Sequence, residues 1–343
     1  MPPPGRQASS PTRSPRIPRA ARTLPAICGT VRIRWSNLVL LAAFPAFPLA
    51  LAPLCAAWHW TIDLLACFPV QACGWLLGCA LLLAIDRRFR VATLVLAFAA
   101  IAAAVVAPGL LRKAPTGDPD GKEVRVLSLN LLRGNEHNLA DALAAVRTAD
   151  PDVVFCSEVT PAWLRGLDSS LSQFPHRIAR ADAGWFGVAL YSKFPLHEAA
   201  VVPLAFDWAP AVRAVVRTPH GEFGLLGVHT PRPGNRERNA ERDRALAAIP
   251  AALRGLPPHQ LVLGDCNATP WSPAFRELLR ATGLGDAGDG AWAPTWPSQF
   301  PLPLRIRIDH ALVTASLGVA AFTVGDSFGS DHLPIAVTLR LPR

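Results

Sequence analysis

The sequence predicts a mixed α+β domain that follows an N-terminal unit of three membrane-crossing helices. Three observations carry this. Three uncharged apolar stretches of about 20 residues follow one another early in the chain. The composition then turns polar, with Pro and Gly, over residues 113–122. Beyond it, short apolar runs of strand period alternate with helical patterns, and several of the strand runs end in a single polar residue.

Residues 1–35 are rich in Pro, Arg and Ser without apolar periodicity, the composition of a disordered basic tail. The apolar stretches run Leu38–Ala57, Leu64–Ile85 and Val91–Leu111, within an anchor spanning residues 36–112. Each has the length an α-helix needs to cross a bilayer core. The first also carries Pro45, Pro48 and Pro53, so it is the one expected to kink. Seven Arg precede the first stretch, none lies in Trp58–Asp63, and three lie in the turn at residues 86–90. By the positive-inside rule the count alternates in, out, in, which puts the following domain on the extracytoplasmic side of a bacterial inner membrane.

The formal charge of +9 belongs to this N-terminal part. Residues 1–112 hold eleven Arg and no Lys against Asp63 and Asp86; the remaining 23 basic and 23 acidic groups cancel. A basic pI therefore says nothing here for a nucleic-acid footprint on the catalytic part. Seven Cys show no CxxC or zinc spacing and read as small buried hydrophobes. No ionisable residue inside the apolar stretches marks a transport path.

In residues 123–343, the strands expected are Val124–Asn130, Val153–Val159, Gly187–Ser192, Val212–Arg217, Phe223–His229, Leu261–Asp265, Ile306–Val313 and Ile335–Leu339. Helices are expected at Leu139–Thr148, Arg236–Leu253 and Ser272–Ala281, the last opened by a Ser-Pro pair suited to an N-cap and first turn. Asn130, Glu158, His229 and Asp265 each close an apolar run. Glu158 is a hard oxygen ligand suited to Mg²⁺ or Mn²⁺, and Asn130 is a neutral oxygen donor. Asp265 and Asn267, two apart, project to one side and offer a carboxylate and an amide to a phosphate oxygen or a water. Arg213 is placed to add a fixed positive charge for phosphoryl oxygens.

The motifs VRVLSLNLL, SEVT, LYSKFPL, GVHT, GDCNATP, RIDHALV and GSDHLPI, in this order between Val124 and Leu341, resemble the endonuclease/exonuclease/phosphatase superfamily. The resemblance implies a four-layer αββα sandwich, two packed mixed sheets flanked by helices. It implies metal-site residues Asn130, Glu158 and Asp331, with Mg²⁺ or Mn²⁺ as cofactor. It also implies that His332, oriented by Asp309, is the general base or a transition-state stabiliser, and that His229 binds phosphate or protonates the leaving group. His310 is expected in the core or behind the site. Ser157 stands where the superfamily commonly has glutamine and Cys266 where it has an aromatic, so the resemblance does not fix the substrate.

The function expected is that of a membrane-anchored phosphoester hydrolase in which water attacks in line. Its partners are the lipid bilayer and either nucleic acid or phospholipid; no specific protein partner is expected. Trp163, Trp185, Trp208, Trp271, Trp292 and Trp296 are candidates to stack on bases or touch lipid. An inactive membrane-anchored binding module is the reading from another class, and the complete set of catalytic residue types argues against it.

Overall fold

The computed structural model describes Met1 and residues 34–342; the basic tail expected over residues 1–35 lies almost wholly outside the described residues. The apolar unit consists of α1 (Trp35–Ala43), α2 (Ala46–Cys55), α3 (Trp60–Leu65), α4 (Pro69–Ile85) and α5 (Phe89–Leu111). Proline sets the breaks. Pro45 has no N–H to extend α1, so the chain turns at Phe44–Pro45. Pro69 takes the first position of α4, where an N–H would be unbonded anyway.

This corrects the expectation of three membrane-crossing helices. Two helical runs, Trp35–Trp58 and Phe89–Leu111, are long and apolar enough to cross a membrane, whereas α4 is shorter, with 17 residues. Its rise of about 25 Å falls short of a hydrocarbon core of about 30 Å. Small residues line much of the helix–helix contact in the unit, together with the fully buried Leu76 and Leu83, and many leucines lie outside it. Ala43, Ala46, Ala50, Ala72, Ala99 and Ala102 are buried between helices, while Leu38, Leu41, Leu54, Leu81 and Leu94 face outward.

The rest of the chain runs β1 (Lys122–Asn130), α6 (Leu139–Ala149), β2 (Val153–Ser157), α7 (Pro161–Ser170), β3 (His176–Arg180), β4 (Val188–Ser192), β5 (Leu196–Phe206) and β6 (Ala209–Thr218). It continues through β7 (Gly221–His229), α8 (Arg236–Ala252), β8 (Gln260–Asp265), α9 (Pro273–Thr282), β9 (Gly285–Asp286), β10 (Asp309–Val313), β11 (Gly318–Val324) and β12 (Ile335–Leu341). Two six-stranded mixed sheets result, ordered β11-β12-β1-β2-β4-β3 and β5-β6-β7-β8-β10-β9. Their inner faces meet over Val126, Phe155, Leu190, Val212, Leu225 and Leu263. One outer face packs against α6 and α7 through Val146, Trp163 and Leu167, the other against α8 and α9 through Leu246, Ile249 and Phe275. The expected layers are therefore present: helices, sheet, sheet, helices. Cys156 and Cys266 are buried and free, as small hydrophobes.

Two glycines govern the spacing between the sheets. Phe155 on β2 is fully buried, and its ring lies across β7 and β8. A Cβ on Gly227 would sit 2.3 Å from that ring; one on Gly264 would sit 2.9 Å from it and 2.1 Å from Val228 O. Gly264 also has φ +134°, which disfavours any other residue. These glycines stand two residues before His229 and one before Asp265.

Beneath the same end lies a buried charge cluster. Asp286 Oδ2 accepts from Arg307 Nη2 at 2.9 Å and lies 2.8 Å from His310 Nδ1, while His310 Nε2 lies 2.9 Å from Ala268 O. His310 is thus a core residue behind the site, as expected. Burial alone would raise the Asp286 pKa, but Arg307 and His310 outweigh it and hold the carboxyl at about 2 against an ordinary 3.8.

Gly227→Ala is expected to lose about 1–3 kcal/mol of stability through overpacking against Phe155, read as a lowered thermal midpoint. Because the folded pKa of Asp286 is depressed, its contribution is present above about 4 and lost as pH falls toward 2. Asp286→Asn should therefore destabilise the domain by about 3 kcal/mol at neutral pH. The gap from wild type should narrow between pH 4 and pH 2 in denaturant titrations.

Candidate active site

Strand register alone assembles one row of the site. In the second sheet His229 is the direct neighbour of Asp265 on one side, and Asp309 is its neighbour on the other. In the first sheet Asn130 pairs with Ser157, so Glu158 leaves β2 beside it. Glu158 and Asn267 both have left-handed backbones, with φ of 56° and 45°, an uncommon conformation for either. Local bonds hold them there. Arg133 N donates to Glu158 Oε2 at 2.9 Å, and Asn267 N donates to Asp265 Oδ1 at 2.8 Å.

One oxygen is the hub. Asp265 Oδ2 accepts from Asn130 Nδ2 and from Asn267 Nδ2, each at 3.2 Å, and lies 3.6 Å from both His229 Nε2 and His332 Nε2. The same Asn130 amide donates to Glu158 Oε1 at 3.2 Å, which joins the ends of the two sheets. All of these side chains are buried.

His332 Nδ1 bonds Asp309 Oδ2 at 2.9 Å, the His–carboxylate arrangement the sequence predicts. Burial opposes the imidazolium, but Asp309 and Asp265 overcome it and raise His332 to about 10. For Asp309 the attraction of His332 prevails over burial and lowers its pKa. Asp265 moves the other way: burial, together with the Asp309 charge, raises it to about 6 against the pull of the two histidines.

Two expected residues stand differently. Arg213 is away from the hub: on β6 it donates to Ala252 O and Arg254 O at the end of α8, with Glu198 at 3.6 Å. Its charge satisfies the last carbonyls of that helix, so this corrects its expected role on substrate phosphate. Asp331 lies beside His332 and accepts from Trp296 Nε1 at 3.1 Å, leaving Oδ1 without a partner among the described residues. Among the described residues, Asp265, Asp309 and His332 instead form a carboxylate–imidazole group whose ligand atoms lie within 4.8 Å of one another.

Other residues, unassigned from sequence, complete the geometry. Thr295 Oγ1 donates to Asp309 Oδ2 at 2.5 Å. Thr230 bonds Cys266 O through its hydroxyl and accepts Asn267 Nδ2 through its carbonyl. Ser330 Oγ donates to Asn130 O and accepts from His332 N. Thr230 and Ser330 lie inside the GVHT and GSDHLPI motifs; Thr295 lies in no motif and leaves no signal in the sequence.

Around the mouth, Phe186 packs on His229 and Trp208, Arg133 lies over Trp185, and Arg232 lies over Trp296. Trp185 and Trp208 are exposed, while Trp163 and Trp271 belong to the core. The donor set suits a hard divalent cation: Asp265 and Asp309 bring buried carboxylates together, and Asn130 offers its amide N–H groups to Asp265 and to the buried Glu158 carboxylate.

Solved structures similar to this one include an endonuclease/exonuclease/phosphatase from Beutenbergia cavernae DSM 12333, with 20% identity over 64% of this chain and 72% of that one at TM-score 0.51. They include a D. rerio TDP2 complexed with single strand DNA product, with 17% identity over 64% and 99% at TM-score 0.53. A functionally unknown conserved protein from Enterococcus faecalis V583 matches with 17% identity over 63% and 98% at TM-score 0.53. At these identities the likeness is one of fold. No curated protein sequence matches the chain. The sequence profile of the Endonuclease/Exonuclease/phosphatase family covers residues 127–332, which contain every residue of the hub, and the chain belongs to that family.

Proposed function

We propose that the chain is a membrane-anchored, divalent-metal-dependent phosphodiesterase whose substrate phosphate lies at the bilayer surface. The observation that carries the chemistry is the convergence of Asn130, Asn267, His229 and His332 on Asp265. Asp265 and Asn267 orient the attacking water. His332, kept cationic by Asp309, and His229 face the phosphoryl oxygens and the leaving group. Glu158, Asp265 and Asn130 would hold Mg²⁺ or Mn²⁺, which supplies charge neutralisation at a phosphoryl oxygen when bound. Asp331 flanks His332 with an open oxygen and is a further candidate donor.

The membrane reading is supported by the many leucines exposed on the outside of the helical unit and by the alanines between its helices. At one end of that unit Arg88 bonds Asn37; at the other, Gly109 O and Gln71 contact the catalytic domain. The arginine-rich turn at residues 86–90 thus lies opposite the catalytic domain. This agrees with a bacterial inner-membrane protein whose domain is extracytoplasmic.

For the substrate, one observation favours lipid over nucleic acid. Phe300, Leu302 and Leu304 are exposed on a loop whose Arg305 O accepts from Gln71 at the start of α4. The loop's other end bonds the site: Ser298 N donates to Asp331 O, and Ser298 Oγ donates to Ser330 O. An apolar edge therefore runs from the helical unit to the mouth.

In the presence of Mg²⁺ or Mn²⁺ the full chain should hydrolyse bis-p-nitrophenyl phosphate, and EDTA should abolish turnover. His332→Ala and Glu158→Gln should each lower kcat by about 10³-fold with the fold intact by circular dichroism. Retained turnover in both variants would sink the assignment. In a panel of phospholipid, sphingolipid and phosphoinositide vesicles alongside single- and double-stranded nucleic acid, a vesicle lipid should be the better substrate. Preference for nucleic acid would overturn the lipid reading, and loss of the catalytic domain to protease on intact cytoplasmic vesicles but not inverted ones would establish its side.

A further inference from the structure

Asp63 is one of two acidic residues in residues 1–112, and it sits in α3, only 4% exposed, among apolar helices. A carboxylate in such surroundings is costly unless paired. Its partner lies outside the helical unit. Arg242 on α8 donates from Nη2 to Asp63 Oδ2 at 2.5 Å, and Ser272 Oγ donates to the same oxygen at 3.4 Å. Both side chains of the ion pair are buried.

The same guanidinium reaches the active-site loop. Arg242 Nη1 contacts Asn267 O at 3.5 Å, and Nε and Nη2 bond Asp243 Oδ1. Asn267 is the residue with φ of 45° whose side-chain amide bonds Asp265 Oδ2 and Thr230 O. One fork of donors therefore joins the helical unit to the backbone of a loop that Thr230 and His310 hold from the second sheet. Ser272 closes that loop, and Ser272 also bonds Asp63. Arg276 Nη2 to Pro53 O at 3.4 Å is a contact between the two parts whose residues lie outside that loop.

We infer that Asp63 is a positioning residue for the active-site loop 265–272: by fixing Arg242 it sets the placement of Asn267, so the helical unit is a structural part of the catalytic centre as well as a tether. The inference rests on the reading that Asp265 and Asn267 serve phosphoester hydrolysis.

The test uses the full chain in detergent micelles, with bis-p-nitrophenyl phosphate and Mn²⁺ for turnover and amide hydrogen exchange for loop order. Asp63→Asn keeps the shape and removes the charge. It should speed exchange in residues 266–272 by about tenfold, leave β7 and β8 unchanged, and lower kcat by about 10- to 100-fold with little change in KM. Arg242→Lys, which keeps the charge without the fork, should reproduce both effects. Arg276→Ala, which breaks a contact between the same parts away from the loop, should leave both within about twofold of wild type. Unchanged exchange and kcat in Asp63→Asn would overturn the inference, as would faster exchange at full kcat or an equal loss in Arg276→Ala. A wild-type chain inactive on phosphoesters whose loop exchange still responds to Asp63→Asn would overturn the hydrolase reading and leave the coupling standing.

Discussion

The catalytic end of the molecule depends on how closely two sheets approach, and one aromatic ring governs that approach. Phe155 fills the space between β2 and the pair β7–β8, where Gly227 and Gly264 have no side chain to displace it. Asn130 can then reach from the first sheet to Asp265 in the second while still bonding Glu158. The bond to Asp265 is 3.2 Å, near the long end of useful hydrogen-bond range, so a small parting of the sheets would break it before the core noticed. The glycines of GVH and GDCN are therefore packing residues whose effect is felt at the chemistry.

Much of this was legible in the sequence because strand ends concentrate the signal. Asn130, Glu158, His229 and Asp265 each close an apolar run, and pairing β7 with β8 and β8 with β10 sets the last two in one row with Asp309. What escaped has physical causes. The edge strands β3 and β5 alternate exposed and half-buried residues too weakly to stand out. The first three residues of the expected strand Ile306–Val313 are used instead in a bridge to Trp296 and in bonds from the Thr295 and Cys266 backbones. Arg213 looked free for substrate because a helix end that needs a cation is invisible until α8 is placed beside β6. The apolar stretches looked alike in length and in lack of charge, yet proline positions cut them into helices of unequal length.

Electrostatics divides along the same line as the packing. Residues 1–112 carry the excess arginines, seven of the eleven ahead of the first helix, and the catalytic part balances its charges. Within that neutral domain, charge is concentrated locally: Asp286 with Arg307 below the site, His332 with Asp309 inside it, and Arg133 and Arg232 over indole rings at its edge. Attraction for an anion is thus exerted at short range in the mouth, where salt screens it least.

The left-handed backbone at Glu158 bears on how such a chain could change over generations. A carboxylate there must tolerate φ of 56°, which glycine and asparagine accept far more readily than glutamate. A descendant released from the need for that carboxylate would gain stability by exchanging it for glycine or asparagine. The identity of this one position in related chains would then separate those still under selection for turnover from those kept only as scaffolds.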